Sequence, residues 1–151
     1  QERGLRPGTP NVPYIVALGA ACQLAFDDLL RESARQRALI THFEQSLKRA
    51  IPDIARNGCP SNGLPNTLSI RFPHAEGATL LAQAPEIAVS TGSACHENTT
   101  TASNVILAMG IPTKEAMGTV RLSIGRSTTT AMVDRAVALL QRAWLSVQCG
   151  A

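Results

Sequence analysis

Apolar residues recur at three- and four-residue intervals along two stretches near the start of the chain, as the buried stripe of an α-helix requires. The first stripe begins at Ile15 and the second ends at Ile51. Asn11 is a suitable N-cap residue, and Pro13 suits the first turn of a helix. Because the two stripes together are longer than most globular helices, we expect a break between Asp27 and Ser33, and therefore two helices.

The rest of the chain alternates between strand and helix patterns. Residues 1–12 are expected to be extended, since glycine and proline recur there. Period-two alternation predicts strands over 67–72, 87–90 and 119–124. Helical spacing predicts helices over 76–83, 104–109 and 129–147, the last starting at a threonine cluster that can cap it. This order predicts an α+β fold, with helices packed on one face of a small, mostly antiparallel sheet.

Composition and charge narrow the class of protein. With 151 residues, 44% hydrophobic and 17% charged, the chain suits one globular domain. Three Phe, one Tyr and one Trp leave an aliphatic core. The net charge of +3 is scattered along the chain, which argues against nucleic acid as a partner. We see no apolar stretch of the roughly 18 residues that a membrane span needs and no signal peptide, so we expect a cytoplasmic protein without a membrane partner.

Four cysteines lie far apart, without a CxxC pair, and are expected to be reduced thiols. Cys22 falls on a helical apolar face and is interpreted as a packing residue. Cys59 lies in a Gly-Cys-Pro-Ser loop and Cys149 near the C-terminus, and neither has a chemical neighbour in the sequence. No metal site is expected, because adjacent residues such as Cys95 and His96 rarely point at one ion.

Cys95 is the candidate nucleophile. It follows the predicted strand 87–90 within Ser-Thr-Gly-Ser-Ala-Cys-His, where small neighbours leave the sulfur accessible. A nucleophilic thiol must also form its thiolate, and the adjacent His96 is a possible modulator. An incidental exposed thiol is the alternative interpretation.

Two further places could bind anions. In the segment 6–11, Gly8 allows close backbone approach, Thr9 offers a hydroxyl, and the start of a helix offers free N–H groups to a phosphate. An ordinary turn followed by a helix cap would look the same. Arg121 and Arg126 flank the end of a predicted strand, and arginine binds carboxylates through paired hydrogen bonds. Residues five apart point to opposite faces, so one shared ligand is not expected, and solvated strand-end arginines are the alternative.

Four motifs, in order, resemble the C-terminal third of cysteine desulfurases, which are class V aminotransferase-like enzymes that depend on pyridoxal 5'-phosphate. The motifs are RPGTPNVPYIVALGAA, LPNTLSIRFP, STGSACHEN and VRLSIGRSTT. Selenocysteine lyase is a close relative. Members are homodimers of fold type I, so the resemblance implies an extended segment from the large-domain side over 1–12. Residues 13–151 would then be the C-terminal small domain, including its long linker helices.

The resemblance also implies roles for individual residues. Cys95 matches the cysteine that takes sulfur from L-cysteine as a persulfide, releasing alanine. Arg121 matches the arginine that holds the substrate carboxylate, whereas Arg126 would form a structural ion pair. Thr9 matches a threonine that contacts the cofactor phosphate of the other subunit, and Gly8 would shape that turn. The long loop after Cys95 resembles a subgroup that delivers sulfur to scaffold proteins for iron–sulfur cluster assembly.

One departure from the family pattern concerns the cofactor lysine. The chain contains only Lys48 and Lys114, and neither lies in a cofactor motif. We therefore expect that this chain alone neither binds the cofactor covalently nor desulfurates cysteine. Selenocysteine lyase activity, or a non-catalytic sulfur-carrier or dimerisation module, are the alternatives. An exposed apolar surface is expected where the large domain would meet this chain.

Overall fold

The structure is a computed structural model that describes residues 2–92 and 102–149. Its helices are α1 (Val12–Ala50), α2 (Gly77–Ala82), α3 (Asn104–Ala108), α4 (Thr113–Ala116) and α5 (Thr130–Cys149). Its strands are β1 (Ala55–Arg56), β2 (Thr67–Arg71) and β3 (Thr119–Ser123). A short 3-10 turn, Glu2–Gly4, precedes them. The chain divides after Ser33 into two compact units.

The C-terminal unit contains a three-stranded antiparallel sheet in the order β1-β2-β3. Arg71 at the end of β2 pairs with Ala55 of β1 and with Thr119 at the start of β3. Buried and accessible positions alternate along β2, which is the pattern of a sheet with one covered face. The predicted α+β class with a small antiparallel sheet is confirmed.

The core of this unit lies between the covered face of the sheet and two helices. Leu47 of α1, Leu68 of β2, Val120 of β3 and Leu140 of α5 are all fully buried. The core cluster is largely aliphatic, as the composition predicts. Trp144 of α5 packs at its edge, where its Nε1 donates a hydrogen bond to the Pro73 carbonyl oxygen at 2.9 Å.

The predicted break in the first helix is wrong, because α1 runs without interruption from Val12 to Ala50. No proline or glycine lies between residues 27 and 33, so nothing in the backbone ends the helix there. A side-chain hydrogen bond from Arg31 Nε to Asp28 Oδ1, 2.6 Å long, follows helical spacing across this stretch. The predicted N-cap is confirmed, since Asn11 Oδ1 accepts a hydrogen bond from the Tyr14 N–H at 3.2 Å.

The remaining elements match the patterns to within a few residues, with four differences. Residues 2–4, which were expected to be extended, form a 3-10 turn. The predicted strand 87–90 is reduced to one isolated bridge between Ser90 and Arg121. β1 and α4 are too short to leave a periodic signal in the sequence. β1 exists because its two residues pair with the end of β2, which is a contact distant in sequence.

In the N-terminal unit, no residue from Arg3 to Ser33 is buried. Large apolar side chains with more than half of their surface exposed lie all along this part of α1, at Val12, Tyr14, Ile15, Val16, Leu18, Leu24, Phe26, Leu29 and Leu30. A helix that is apolar on every side is normally covered in the finished protein. Exposed apolar surface is therefore present in this unit, and its contact with a large domain stays a prediction.

Helix α1 is also long enough and apolar enough, by length and composition alone, to cross a membrane. Our expectation that no stretch reaches this length is therefore wrong, because the small residues between the larger apolar ones keep the mean hydropathy high. Core helices of soluble proteins and signal sequences pass the same test. It applies to the described residues only.

Candidate functional site

The best-defined part of the candidate site is a backbone bridge between Ser90 and Arg121. The Arg121 N–H donates to the Ser90 carbonyl oxygen at 2.7 Å, and the Ser90 N–H donates back at 3.4 Å. Ser90 Oγ donates to the Gly92 carbonyl oxygen at 2.7 Å, and it accepts from the Gly92 N–H at 3.2 Å. Residues 90–92 are therefore held beside the strand that carries Arg121.

Arg121 lies at the centre of β3 and points away from the core. Its strand neighbours Val120 and Leu122 are buried, whereas Arg121 itself is exposed. Its guanidinium has no hydrogen-bond or ion-pair partner among residues 2–92 and 102–149. Arg121 also lines a depression of about 280 Å³, together with Ala88, Val89, Ser90 and Ser123. The arginine is therefore available to a carboxylate ligand.

Cys95 and His96 lie outside the described residues. The nucleophilic role of Cys95 and the modulating role of His96 stay predictions. Arg126 lies beyond the end of β3 and is exposed, and its predicted ion pair also stays a prediction.

The predicted phosphate segment forms a turn that requires a glycine. Gly8 has a φ of +92°, in the left-handed region that favours glycine. The Arg6 guanidinium donates to the carbonyl oxygens of Gly8 at 3.4 Å and of Thr9 at 3.1 Å. Arginine and backbone thus hold the turn, and the cofactor roles of Gly8 and Thr9 stay predictions.

The start of α1 does not offer the free N–H groups that we expected. The Val12 N–H donates to the Pro10 carbonyl oxygen at 3.0 Å, and the Ile15 N–H donates to that of Asn11 at 3.1 Å. Tyr14 donates to the Asn11 side chain, and proline at position 13 has no N–H. An anion at this turn would therefore depend on the Thr9 hydroxyl and on Arg6.

Both lysines are exposed, Lys48 on α1 and Lys114 on α4. Thr9 and Gly8 are the described residues that would hold the phosphate of the pyridoxal 5'-phosphate that the family resemblance implies. No group of three or more His, Cys, Asp or Glu side chains in the described part of the chain is placed to hold a metal ion.

Cys59 has a chemical neighbour that the sequence interpretation missed. Its Sγ lies 3.0 Å from Ser61 Oγ. The hydrogen bond from the Ser61 side chain lowers the pKa of this exposed thiol, with backbone hydrogen bonds at Ser61 and Asn62 and the charge of Arg56 adding to the effect. Because Ser61 follows Cys59 by only two residues in a predicted loop, this contact could have been predicted from the sequence.

The lowered pKa gives a testable pH dependence for Cys59. A depressed pKa means that the thiolate forms at lower pH than in an ordinary cysteine, and the thiolate is the reactive species. We expect iodoacetamide to label Cys59 with a pH midpoint below that of free cysteine, and Ser61→Ala to shift the midpoint upward. Peptide mass spectrometry after timed labelling measures both. Identical midpoints in the two proteins would contradict the role of Ser61.

Comparison with known proteins defines the class to which this fold and site belong. The sequence model of the aminotransferase class-V family matches residues 1–136, so the chain belongs to the aminotransferase class-V family. It is 41% identical to cysteine desulfurase 2 of Trichormus variabilis over 142 residues, covering 93% of this chain and 35% of that protein. It is also 41% identical to the cysteine desulfurase of a Frankia species over 150 residues, covering 98% of this chain and 36% of that protein.

A solved structure gives the same result. A NifS-like protein superposes with a TM-score of 0.78 at 30% identity, covering 97% of this chain and 37% of that one. The predicted resemblance and fold are thereby confirmed. The chain spans only about a third of the length of the curated relatives that it matches.

Proposed function

We propose that this chain is the C-terminal part of a pyridoxal-phosphate-dependent cysteine desulfurase. The complete protein would convert L-cysteine into alanine and leave the sulfur on Cys95 as a persulfide, for transfer to a scaffold protein in iron–sulfur cluster assembly. It would act in the cytoplasm as a homodimer. The observation that carries the proposal is the bridge between Ser90 and Arg121, which holds the residues just before the Cys95 segment beside an arginine that has no partner among the described residues.

This bridge supports the proposal because it limits how far Cys95 can lie from Arg121. Cys95 follows Gly92 by three residues, so chain connectivity keeps their Cα atoms within about 11 Å of each other. A cysteine substrate held by its carboxylate at Arg121 would then have its side-chain sulfur within reach of the Cys95 segment. Arginine suits this task because its planar fork binds both carboxylate oxygens.

The Cys95 thiolate would attack the substrate sulfur. A sulfur–sulfur bond forms and the bond between the substrate Cβ and its sulfur breaks, with the electron pair passing to the substrate carbon, which is then protonated to give alanine. Pyridoxal 5'-phosphate supplies the electron sink for this chemistry when it is bound. The Thr9 hydroxyl would donate to the cofactor phosphate of the other subunit of the homodimer, at the turn that Gly8 shapes.

Neither Lys48 nor Lys114 lies in a cofactor motif, so the lysine that binds the cofactor would come from outside this chain. We propose that the isolated chain is inactive for this reason. Incubation of the complete protein with L-cysteine should yield alanine, together with one added sulfur atom on the Cys95 peptide in mass spectrometry. Faster turnover of selenocysteine than of cysteine would instead favour a selenocysteine lyase, and absence of alanine with both substrates would refute the proposal.

The Arg121→Gln variant of the complete protein tests the carboxylate contact. Loss of two charge-assisted hydrogen bonds should lower kcat/KM for L-cysteine about 100-fold. Arg126→Gln is the matched control, since Arg126 is an exposed arginine just beyond the end of β3 and has no proposed ligand role. Steady-state alanine release measures both variants. Equal losses in the two would mean that Arg121 acts only through general charge or stability.

A further inference from the structure

A cavity of about 630 Å³ lies in the C-terminal unit, where β2 ends and α4 begins. Its volume falls within the range of small-molecule sites in proteins. Arg71 lines it on the sheet side and Glu115 on the side of α4. Arg121 and Ser90 are not among its lining residues. The proposed desulfurase chemistry therefore leaves this cavity without a role.

The main polar group in the cavity is Arg71, whose side chain is only 16% exposed. Its Nη1 donates to Asn57 Oδ1, and Asn57 is itself held by hydrogen bonds to Ser69 Oγ at 3.0 Å and Thr119 Oγ1 at 3.3 Å. Arg71 Nε is buried and has no hydrogen-bond partner among the described residues. Buried N–H donors are nearly always paired, so this one calls for an acceptor.

Glu115 does not supply that acceptor in good geometry. Its Oε2 lies 3.5 Å from Arg71 Nε, beyond the usual length of such a bond, and its side chain is 59% exposed. Arg71 Nε is thus a fixed donor with a largely exposed carboxylate nearby. Because Arg71 Nε is buried, a ligand carboxylate reaches it only when Glu115 turns aside, and the displaced Glu115 can then face a positive group on the same ligand.

The walls of the cavity are preformed. The turn that contains Pro73 and His74 is tied to α5 by hydrogen bonds from Trp144 Nε1 and from Gln148 Nε2, the latter to the His74 carbonyl oxygen at 2.8 Å. His74 has a φ of +52°, a left-handed conformation that side chains rarely adopt and that the surroundings must hold. A rigid, strained wall is typical of binding sites.

The charges at the rim decide which ligand fits. Besides Arg71, the lining holds Lys114 but also Asp53, Glu76 and Glu115, and apolar surface from Pro73, Ala75 and Met117 completes it. These three carboxylates outnumber the two permanent cations, with His74 as the remaining titratable group in the lining, so a simple anion is repelled at the rim while a cation is repelled at Arg71. A zwitterion satisfies both, and in an α-amino acid the carboxylate and ammonium groups share one carbon.

We propose that this cavity binds a free α-amino acid with an apolar side chain. The carboxylate accepts from Arg71 Nε, the ammonium group donates to Glu115, and the side chain lies against Met117 and Ala75. The inference is independent of the proposed desulfurase function, because it uses none of the residues assigned to it.

The test is a titration of the isotope-labelled chain with L-leucine, followed by nuclear magnetic resonance. We expect saturable shifts of the Arg71 Nε–H and Met117 methyl signals. N-acetyl-L-leucine, which lacks the ammonium group, and L-leucinamide, which lacks the carboxylate, should each bind at least about fivefold more weakly. Unchanged signals at the highest soluble leucine concentration would overturn the proposal.

Two variants separate the contributions of the ligand's charges. Glu115→Gln should weaken leucine binding about fivefold and remove the preference for leucine over N-acetyl-L-leucine. Glu86→Gln, another exposed glutamate outside the cavity, is the matched control and should change neither. Arg71→Gln should abolish binding of both ligands.

Because Arg71 also bonds to Asn57, circular dichroism must show that the Arg71→Gln variant is folded. If Arg71→Gln is not folded, the Glu115→Gln variant still tests the proposal, because the Glu115 side chain is largely exposed and its replacement should leave the fold intact. Full retention of the preference for leucine over N-acetyl-L-leucine in Glu115→Gln would contradict the proposed orientation.

Discussion

The Cys95→Ser variant of the complete protein is expected to lose cysteine-dependent alanine release by about three orders of magnitude or more. A serine hydroxyl at this position is neither ionised at neutral pH nor able to accept sulfur as a persulfide. Arg121 would still bind the substrate carboxylate, so the loss should fall mainly on kcat and leave KM nearly unchanged. Steady-state alanine release and mass spectrometry of the 90–98 peptide measure these two effects.

Cys59→Ser is the control that matters most for this experiment. Cys59 is exposed and its pKa is lowered, so it is the thiol in the described part of the chain best able to pick up sulfur by accident. We expect Cys59→Ser to keep wild-type activity. If Cys59→Ser abolishes alanine release while Cys95→Ser retains it, the assignment of the nucleophile is wrong.

Replacing Gly118 by alanine should lower the free energy of unfolding of the C-terminal unit by about 3–5 kcal/mol. A Cβ at this position would lie 2.5 Å from the Phe72 carbonyl oxygen and 2.9 Å from that of Ala75. Both are backbone atoms, so no side chain can turn away to relieve the clash. The Phe72 N–H also donates to the Gly118 carbonyl oxygen at 2.9 Å, and separating the two segments would break that bond.

Urea denaturation followed by fluorescence of Trp144, the single tryptophan, measures this change. Gly125→Ala is the matched control, because a Cβ there would meet no atom within 4 Å among the described residues. We expect the control to shift stability by less than about 0.5 kcal/mol. Equal urea midpoints for the two variants would show that the backbone around Gly118 moves enough to accommodate a Cβ atom, which would contradict the prediction.

The sequence allowed prediction of those elements whose signal is local and periodic. β2, β3 and α5 repeat their apolar positions often enough to be located within a few residues. β1 could not be found, because its two residues become a strand only by pairing with β2. The break expected in α1 was wrong because it was inferred from the length of the apolar pattern alone. Helix length is limited by breakers and caps, and residues 27–33 contain neither proline nor glycine.

In the candidate site, too, features set by neighbouring residues could be predicted, whereas contacts between residues distant in sequence could not. The glycine turn at Gly8 and the outward position of Arg121 follow from local patterns. The bridge that brings Ser90 to Arg121 could be inferred only through the family resemblance, since the two residues are distant in sequence. The approach of Glu115 to Arg71 could not be predicted, because the two residues are distant in sequence and Glu115 belongs to no motif.

The uncovered apolar side chains of α1, from Val12 to Leu30, bear on the fate of this chain in a living cell. Chaperones and quality-control proteases recognise their substrates by exposed apolar segments of this kind. A molecule that kept this surface bare would be held or degraded soon after synthesis. Its steady-state abundance would then depend on how quickly another surface covers the helix, more than on how well the sheet and its core fold.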